Sequence, residues 1–350
     1  MGTWGEIEKE LLSRRLPNGT PDFDGVRRGY LKRLAEYTQR STIVYEADGF
    51  SPSPGVMPAD VAIGLDPDVG AFMEVVHGLP KSTPVDLILH SPGGTAEAAE
   101  AIVDYLRGRF PGLRVLVPVA AMSAATMVAM AADEIVMGAH SQLGPIDPQI
   151  SIATPEGPRS APAAAIRQQF EEARRDLAAH PEHTAAWLPI LRSMAPALLQ
   201  ICEDAERLAK SMVTEWLARF MFAKQPDPHA AAQGVADALT DYGHFMSHGR
   251  RLGVSRLKGL GLNITDLESD PTLQDLVLSV HHAVNHTMNH TGVVKIVENH
   301  LGKAFIHRVG VVPVTVPPGL ADQPPASPDL PQGGNRQQRR AAERKQRKKS

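Results

Sequence analysis

A single cysteine, Cys202, in 350 residues leaves no partner for an intramolecular disulfide and no thiolate set for a zinc site. That scarcity fits a reducing, cytoplasmic compartment. Long apolar runs are missing too, and none approaches the roughly 18 residues of a membrane-spanning helix. Residues 1–15 carry charges where a secretion signal needs an apolar stretch, so export by the usual route is not expected. Aromatic residues are only 5% of the chain, which leaves Ala, Val and Leu to fill the core. A hydrophobic content of 43% is ordinary for a globular protein and sufficient for a sizeable core. The length suits one large domain with appendages, or two domains.

The net charge of −3 conceals an asymmetry. Residues 336–350 hold eight Lys and Arg against one acid, Glu343, a local charge of +7, and the rest of the chain therefore carries −10. The body is not expected to bind nucleic acid through bulk charge. The basic tail has no interleaved aromatics, so base stacking is not suggested. Its charge suits an acidic partner, nucleic acid or anionic lipid. Residues 311–335, with seven prolines and the pair Gly333 and Gly334, read as a linker, and linker and tail both read as disordered.

Residues 1–40 read as a polar helical extension anchored by Leu11, Leu12, Leu31 and Leu34. Strand-like runs at 41–45, 85–90, 113–119 and 134–137 then alternate with helical runs at 66–79, 96–110 and 122–132. Such alternation predicts an α/β domain with a parallel sheet and crossover helices, and near-continuous apolar strands fit a sheet covered on both faces. After Pro148 the character changes. Residues 162–222 are helical, with one long helix over 197–222, and a further helix is predicted over 272–289. Late strands are predicted at 292–297 and 303–308. The expected organisation is an extension (1–40), a main domain (41–310), a Pro-rich linker (311–335) and a basic tail (336–350).

Three short pieces can carry chemistry. Ser91, Pro92, Gly93 and Gly94 follow a buried strand, and two glycines there let the backbone approach a ligand and aim N–H groups at it. Such groups stabilise an oxyanion. A plain strand-to-helix turn is the competing reading. Residues 120–126 (AAMSAAT) place Ser123 at a strand-to-helix junction, where its side chain and the next N–H face one point. Small residues equally serve tight helix-on-sheet packing. Residues 141–149 (SQLGPIDPQ) hold Asp147 between Pro145 and Pro148 in a rigid loop, where it orients a histidine or caps the next segment. The three follow successive strands, and ligands bind at the carboxyl ends of parallel strands.

Taken together, SPGG, AMSAATM and SQLGPIDPQ resemble the Clp-fold serine peptidases, and within them the serine dehydrogenase proteinase (SDH) family; signal peptide peptidase A and the crotonases are related. The resemblance is densest over residues 85–150 and extends more loosely to about 305. It implies a Clp/crotonase-like parallel sheet core with flanking helices and a helical insertion over about 160–240. It implies a serine-type endopeptidase with Ser123 as nucleophile and an oxyanion hole from Ala124 and Gly94, with Gly93 as helper. The place of the Clp base histidine holds Ile146 and Asp147, and His248 lies near where the Clp aspartate would sit. The implied triad is Ser123, Asp147 and His248, acceptable because a triad is defined by geometry rather than chain order. A free histidine, with a pKa of about 6.5, suits a base near neutral pH.

His90, His140 and His244 compete as the base. The Ser–Lys dyad of signal peptide peptidase A is disfavoured, since no lysine lies between Lys81 and Lys210. His282, His286 and His290 share a helix face without an H-E-x-x-H pattern, so they read as a polar face and no metal is expected. No pyridoxal phosphate or dinucleotide motif is present, and no cofactor is expected. The expected partners are a peptide or protein substrate and further copies of the chain, since Clp-fold proteins usually form homo-oligomers. The alternative function is a non-catalytic Clp-fold scaffold or a crotonase-like acyl-CoA enzyme.

Overall fold

The computed structural model describes residues 2–50, 55–154 and 157–309; the linker and tail expected over 311–350 lie outside the described residues. Two helices, α1 (Trp4–Ser13) and α2 (Phe23–Thr38), precede β1 (Ser41–Ala47). Short α3 (Pro58–Val61) and α4 (Leu65–Val76) lead to β2 (Val85–His90) and α5 (Ala96–Arg109). Then come β3 (Leu113–Val117), β4 (Ala120–Ala121), α6 (Ala124–Met130), β5 (Glu134–Met137) and β6 (Gln142–Leu143). A hairpin of β7 (Gln149–Thr154) and β8 (Gly157–Pro162) opens the helical part: α7 (Ala163–Ala179), α8 (Thr184–Ser193), α9 (Leu198–Arg219) and α10 (Pro228–Thr240). The chain closes through α11 (Tyr242–Phe245), α12 (Val254–Gly259), β9 (Ile264–Asp266), α13 (Pro271–His290), β10 (Val293–Asn299) and β11 (Ala304–Arg308).

The main sheet has seven strands in the order β11-β10-β1-β2-β3-β5-β9. The run from β1 to β9 is parallel, as the alternation predicts, and the two late strands add an antiparallel edge. Alternate strand residues face opposite layers. Tyr45, Leu87, Val115 and Ile135 pack with α4, α5, α6, α9 and α10, whereas Val44, Ile88, Leu116 and Val136 pack with α1, α2 and α13. This is an α/β fold with a mostly parallel sheet covered on both faces.

Local chemistry sets several boundaries. The Thr95 hydroxyl accepts from the Ala98 N–H and opens α5, while Asp227 and Asp270, each followed by proline, cap α10 and α13. Three sequence expectations differ from the structure. Leu12 is exposed, while Leu11, Leu31 and Leu34 are buried as anchors. The β7–β8 hairpin is absent from the sequence expectations: β7 alternates Ile150 and Ile152, but the Gly, Pro, Arg and Ser of β8 carry little strand signal. The α13 histidines are only partly a solvated face: Trp4 of α1 lies over His286 with ring centroids 3.9 Å apart and His281 is buried against Glu46, while His290 is exposed.

Candidate active site

β2 and β3 end side by side, and the loops after them meet. The Ser91 N–H donates to the Ala120 carbonyl at 3.0 Å, and the Met122 N–H donates to the Ser91 carbonyl at 3.0 Å. These bonds tie the Gly93–Gly94 turn to the turn that carries Ser123. The Thr126 hydroxyl donates to the Ala121 carbonyl at 2.8 Å and accepts from the Gly144 N–H at 3.0 Å, which draws in the loop leading to Asp147. Ser123 sits before the first residue of α6 with φ 54° and ψ −121°. A side-chain residue at such angles is strained, and the surrounding hydrogen bonds maintain it. Every residue of α6 is buried, whereas Ser123 stays partly open to solvent.

Gly93 has φ +105°, and a Cβ added to it would lie 2.6 Å from the Met122 carbonyl oxygen and 2.6 Å from the Ser123 Cβ. Only glycine fits there. The Gly93 N–H donates to the Ser91 hydroxyl at 3.2 Å, and its carbonyl accepts from the Ile63 N–H at 2.7 Å. Gly93 is therefore engaged within the turn, with its N–H on the Ser91 hydroxyl. The Gly94 and Ala124 N–H groups make no hydrogen bond among the described residues. Ile63 runs alongside Gly94, and its own position is fixed from below. Buried Lys295 donates to the Ala62 carbonyl at 2.7 Å and to Asp68, which accepts the Gly64 N–H at 2.8 Å.

Asp147 is 3% exposed. One carboxylate oxygen lies 2.8 Å from His248 Nδ1, and the other accepts from the Gln149 carboxamide at 2.8 Å. The pair is assembled across 101 positions of sequence by a bridge between Leu143 and Leu252, whose backbone groups exchange bonds of 3.0 and 2.9 Å. Ser123 and His248 line one cavity of about 320 Å³, walled by Val56, Met57, Pro58 and Val61. Ser123 and Asp147 line a second, of about 510 Å³, whose far wall is Ile201, Ala205 and Leu208 of α9. The two cavities share Gly94, Ser123 and Gln149.

The competing bases are placed elsewhere. The His90 ring bonds the Ala120 backbone at 3.1 Å, and burial pushes its pKa down to about 4. His140 bonds the Pro118 carbonyl at 2.9 Å, and His244 contacts Arg256. Lys210 pairs with Asp237 and lines a cavity of about 1030 Å³ along α9 and α10, which none of Ser123, Asp147 and His248 lines. Gln149 escaped the sequence reading although it ends the SQLGPIDPQ run; its spacing from Asp147 was the available signal. Three groups able to hold a metal ion come together only at His180, Glu182 and His183 among the described residues, all exposed and remote in sequence from the site.

Residues 66–178 match the family model described as ClpP-like SDH-type serine proteinase. That segment runs from α4 through α7 and contains Gly94, Ser123, Asp147 and Gln149; His248 lies beyond it. Two uncharacterized proteins of Methanocaldococcus jannaschii are similar to the chain. One is 42% identical over 83 residues, covering 24% of this chain and 29% of the relative. The other is 28% identical over 197 residues, covering 56% of this chain and 57% of the relative. The matches thus span less than two thirds of either relative. A membrane-bound stomatin-specific protease, 1510-N in mutant form, is similar at 15% identity with a TM-score of 0.30, over 52% of this chain and 63% of that one.

Proposed function

We propose that this chain, which carries the ClpP-like SDH-type serine proteinase match over residues 66–178, is a serine-type endopeptidase that cleaves peptide bonds through an acyl-enzyme on Ser123. The observation that supports it most is the Asp147–His248 hydrogen bond of 2.8 Å beside a strained serine in one cleft. His248, with Nδ1 turned to Asp147, has Nε2 left to take the Ser123 proton. Asp147 holds that tautomer and supports the imidazolium. The serine oxygen attacks the scissile carbonyl, and the Gly94 and Ala124 N–H groups receive the oxyanion. Gly93 supplies the turn that brings Gly94 up to the serine. His248 then returns the proton to the leaving amine, and water repeats the sequence to release the acyl group.

The site suits an extended polypeptide, because two cavities meet at Ser123. The wider reading is a cytoplasmic, self-assembling protein whose basic residues 336–350 contact an acidic partner, nucleic acid or anionic lipid; it rests on the sequence and on analogy with the fold. No single helix among the described residues is long and apolar enough to cross a membrane. The test is turnover of casein and of a peptide library by the wild type and by Ser123→Ala. Hydrolysis lost in the variant supports the peptidase. Thioester turnover that survives Ser123→Ala favours a crotonase-like enzyme, and no turnover of either favours a scaffold.

A further inference from the structure

Asp147 is almost fully enclosed and has two oxygens to satisfy. His248 serves one of them. The other is served by the Gln149 Nε2 at 2.8 Å, from a residue that lies one proline away and heads β7. A buried carboxylate with one oxygen unpaired costs free energy and is free to turn about its Cβ–Cγ bond. Pro148 restricts the backbone between the two side chains, and the Pro148 carbonyl is itself held by the Ala163 N–H at 2.9 Å. Gln149 is therefore anchored at both ends of its short link to Asp147. It also lines both cavities at the place where they meet at Ser123.

We infer that Gln149 is a positioning residue, whose carboxamide locks the Asp147 carboxylate in the rotation that presents one oxygen to His248 Nδ1. The inference rests on the serine peptidase reading for its kinetic consequence, but not for its electrostatic one. Exchanging Gln149 for glutamate replaces a donor with an acid that, once ionised, sets a second negative charge against Asp147. That charge favours the imidazolium and raises the His248 pKa. At low pH the same glutamic acid is protonated and donates to Asp147, so it reproduces the glutamine. Exchange for methionine keeps the length and removes the donor.

The experiment is a titration of the histidine ring protons by NMR, together with the rate of Ser123 labelling by a fluorophosphonate, between pH 4.5 and 9. Wild type, Gln149→Glu and Gln149→Met are compared, with His248→Ala assigning the resonance. In Gln149→Glu the His248 midpoint and the acidic limb of labelling both move to higher pH, by about half a unit or more. In Gln149→Met the plateau rate falls by about 10-fold or more, the effect of one lost bond to a charged group. Labelling by Gln149→Met within twofold of wild type overturns the inference whatever the Gln149→Glu midpoint, since a nearby anion moves that midpoint without any lock. Wild type that is not labelled contradicts the nucleophile, and the Gln149 assignment is then supported if Gln149→Met weakens the low-field NMR signal of the proton between His248 Nδ1 and Asp147 and overturned if that signal is unchanged.

Discussion

Ser123 is a residue with a side chain held at φ 54°, and its neighbour in space, Gly93, is one that tolerates no side chain. The two conditions are linked, since the Gly93 turn closes on the Ser123 backbone. Gly93→Ala would set a methyl 2.6 Å from the Met122 carbonyl oxygen and force the turns apart. The expected outcome is a loss of about 100-fold or more in acylation rate, of the order of losing an oxyanion donor, and stopped-flow acylation would measure it. A variant within a few-fold of wild type would mean that the donor geometry does not depend on this contact. At this scale the sequence was informative where the chemistry is local. Ser123 stood out by its small neighbours and Asp147 by its flanking prolines. His248 did not, because nothing near it in sequence marks it, and only the family resemblance suggested it. Its placement against Asp147 goes with the Leu143–Leu252 bridge, a contact that no local pattern encodes. The engagement of Gly93 by Ser91 was equally invisible, since it depends on the path of a turn.

Between elements, alternating apolar strands and helical runs made the parallel sheet legible, including the position of β5. The cover of the second face was less so. Residues 1–40 read as an extension, yet Ile7 and Leu11 of α1 are buried with Val280 and Val284 of α13 in one cluster. Trp4 completes that cover over His286. A polar helix face and a face covered by another helix look alike in sequence when the contacts are made by histidines. Ile7→Ala is expected to cost about 2–4 kcal/mol in a urea unfolding experiment, because Ile7 is fully enclosed. A cost below about 0.5 kcal/mol would mean that α1 is only loosely seated. The α9 wall has a different role: Ile201 and Leu208 are half-exposed or nearly so, and they face the second cavity.

The fold buries Glu46, His90 and His281, and these groups make its stability vary with pH. Burial pushes the Glu46 carboxyl up to about 8 and the His90 and His281 rings down to about 4. The two histidines contribute stability that is full above their unfolded pKa of about 6.5 and is lost as pH falls towards 4. Glu46, with a raised pKa, contributes stability that is full below about 4.5 and is lost as pH rises towards 8. Between pH 4.5 and 6.5 two histidine protons oppose one carboxyl proton, so stability rises with pH. Above 6.5 only the carboxyl acts, and stability falls. Urea midpoints from this cluster should therefore peak near pH 6.5, and Glu46→Gln should remove the alkaline descent. A descent unchanged in that variant would assign it to other groups.

The proposed chemistry turns on Ser123 being a nucleophile served by His248. The purified 350-residue chain should be incubated with a fluorophosphonate beside Ser123→Ala and His248→Ala, with folding of each checked by circular dichroism. Labelling of the wild type at Ser123, abolished in Ser123→Ala and reduced by about 100-fold or more in His248→Ala, is the predicted result. Undiminished labelling in His248→Ala, or no labelling of folded wild-type protein, would contradict it.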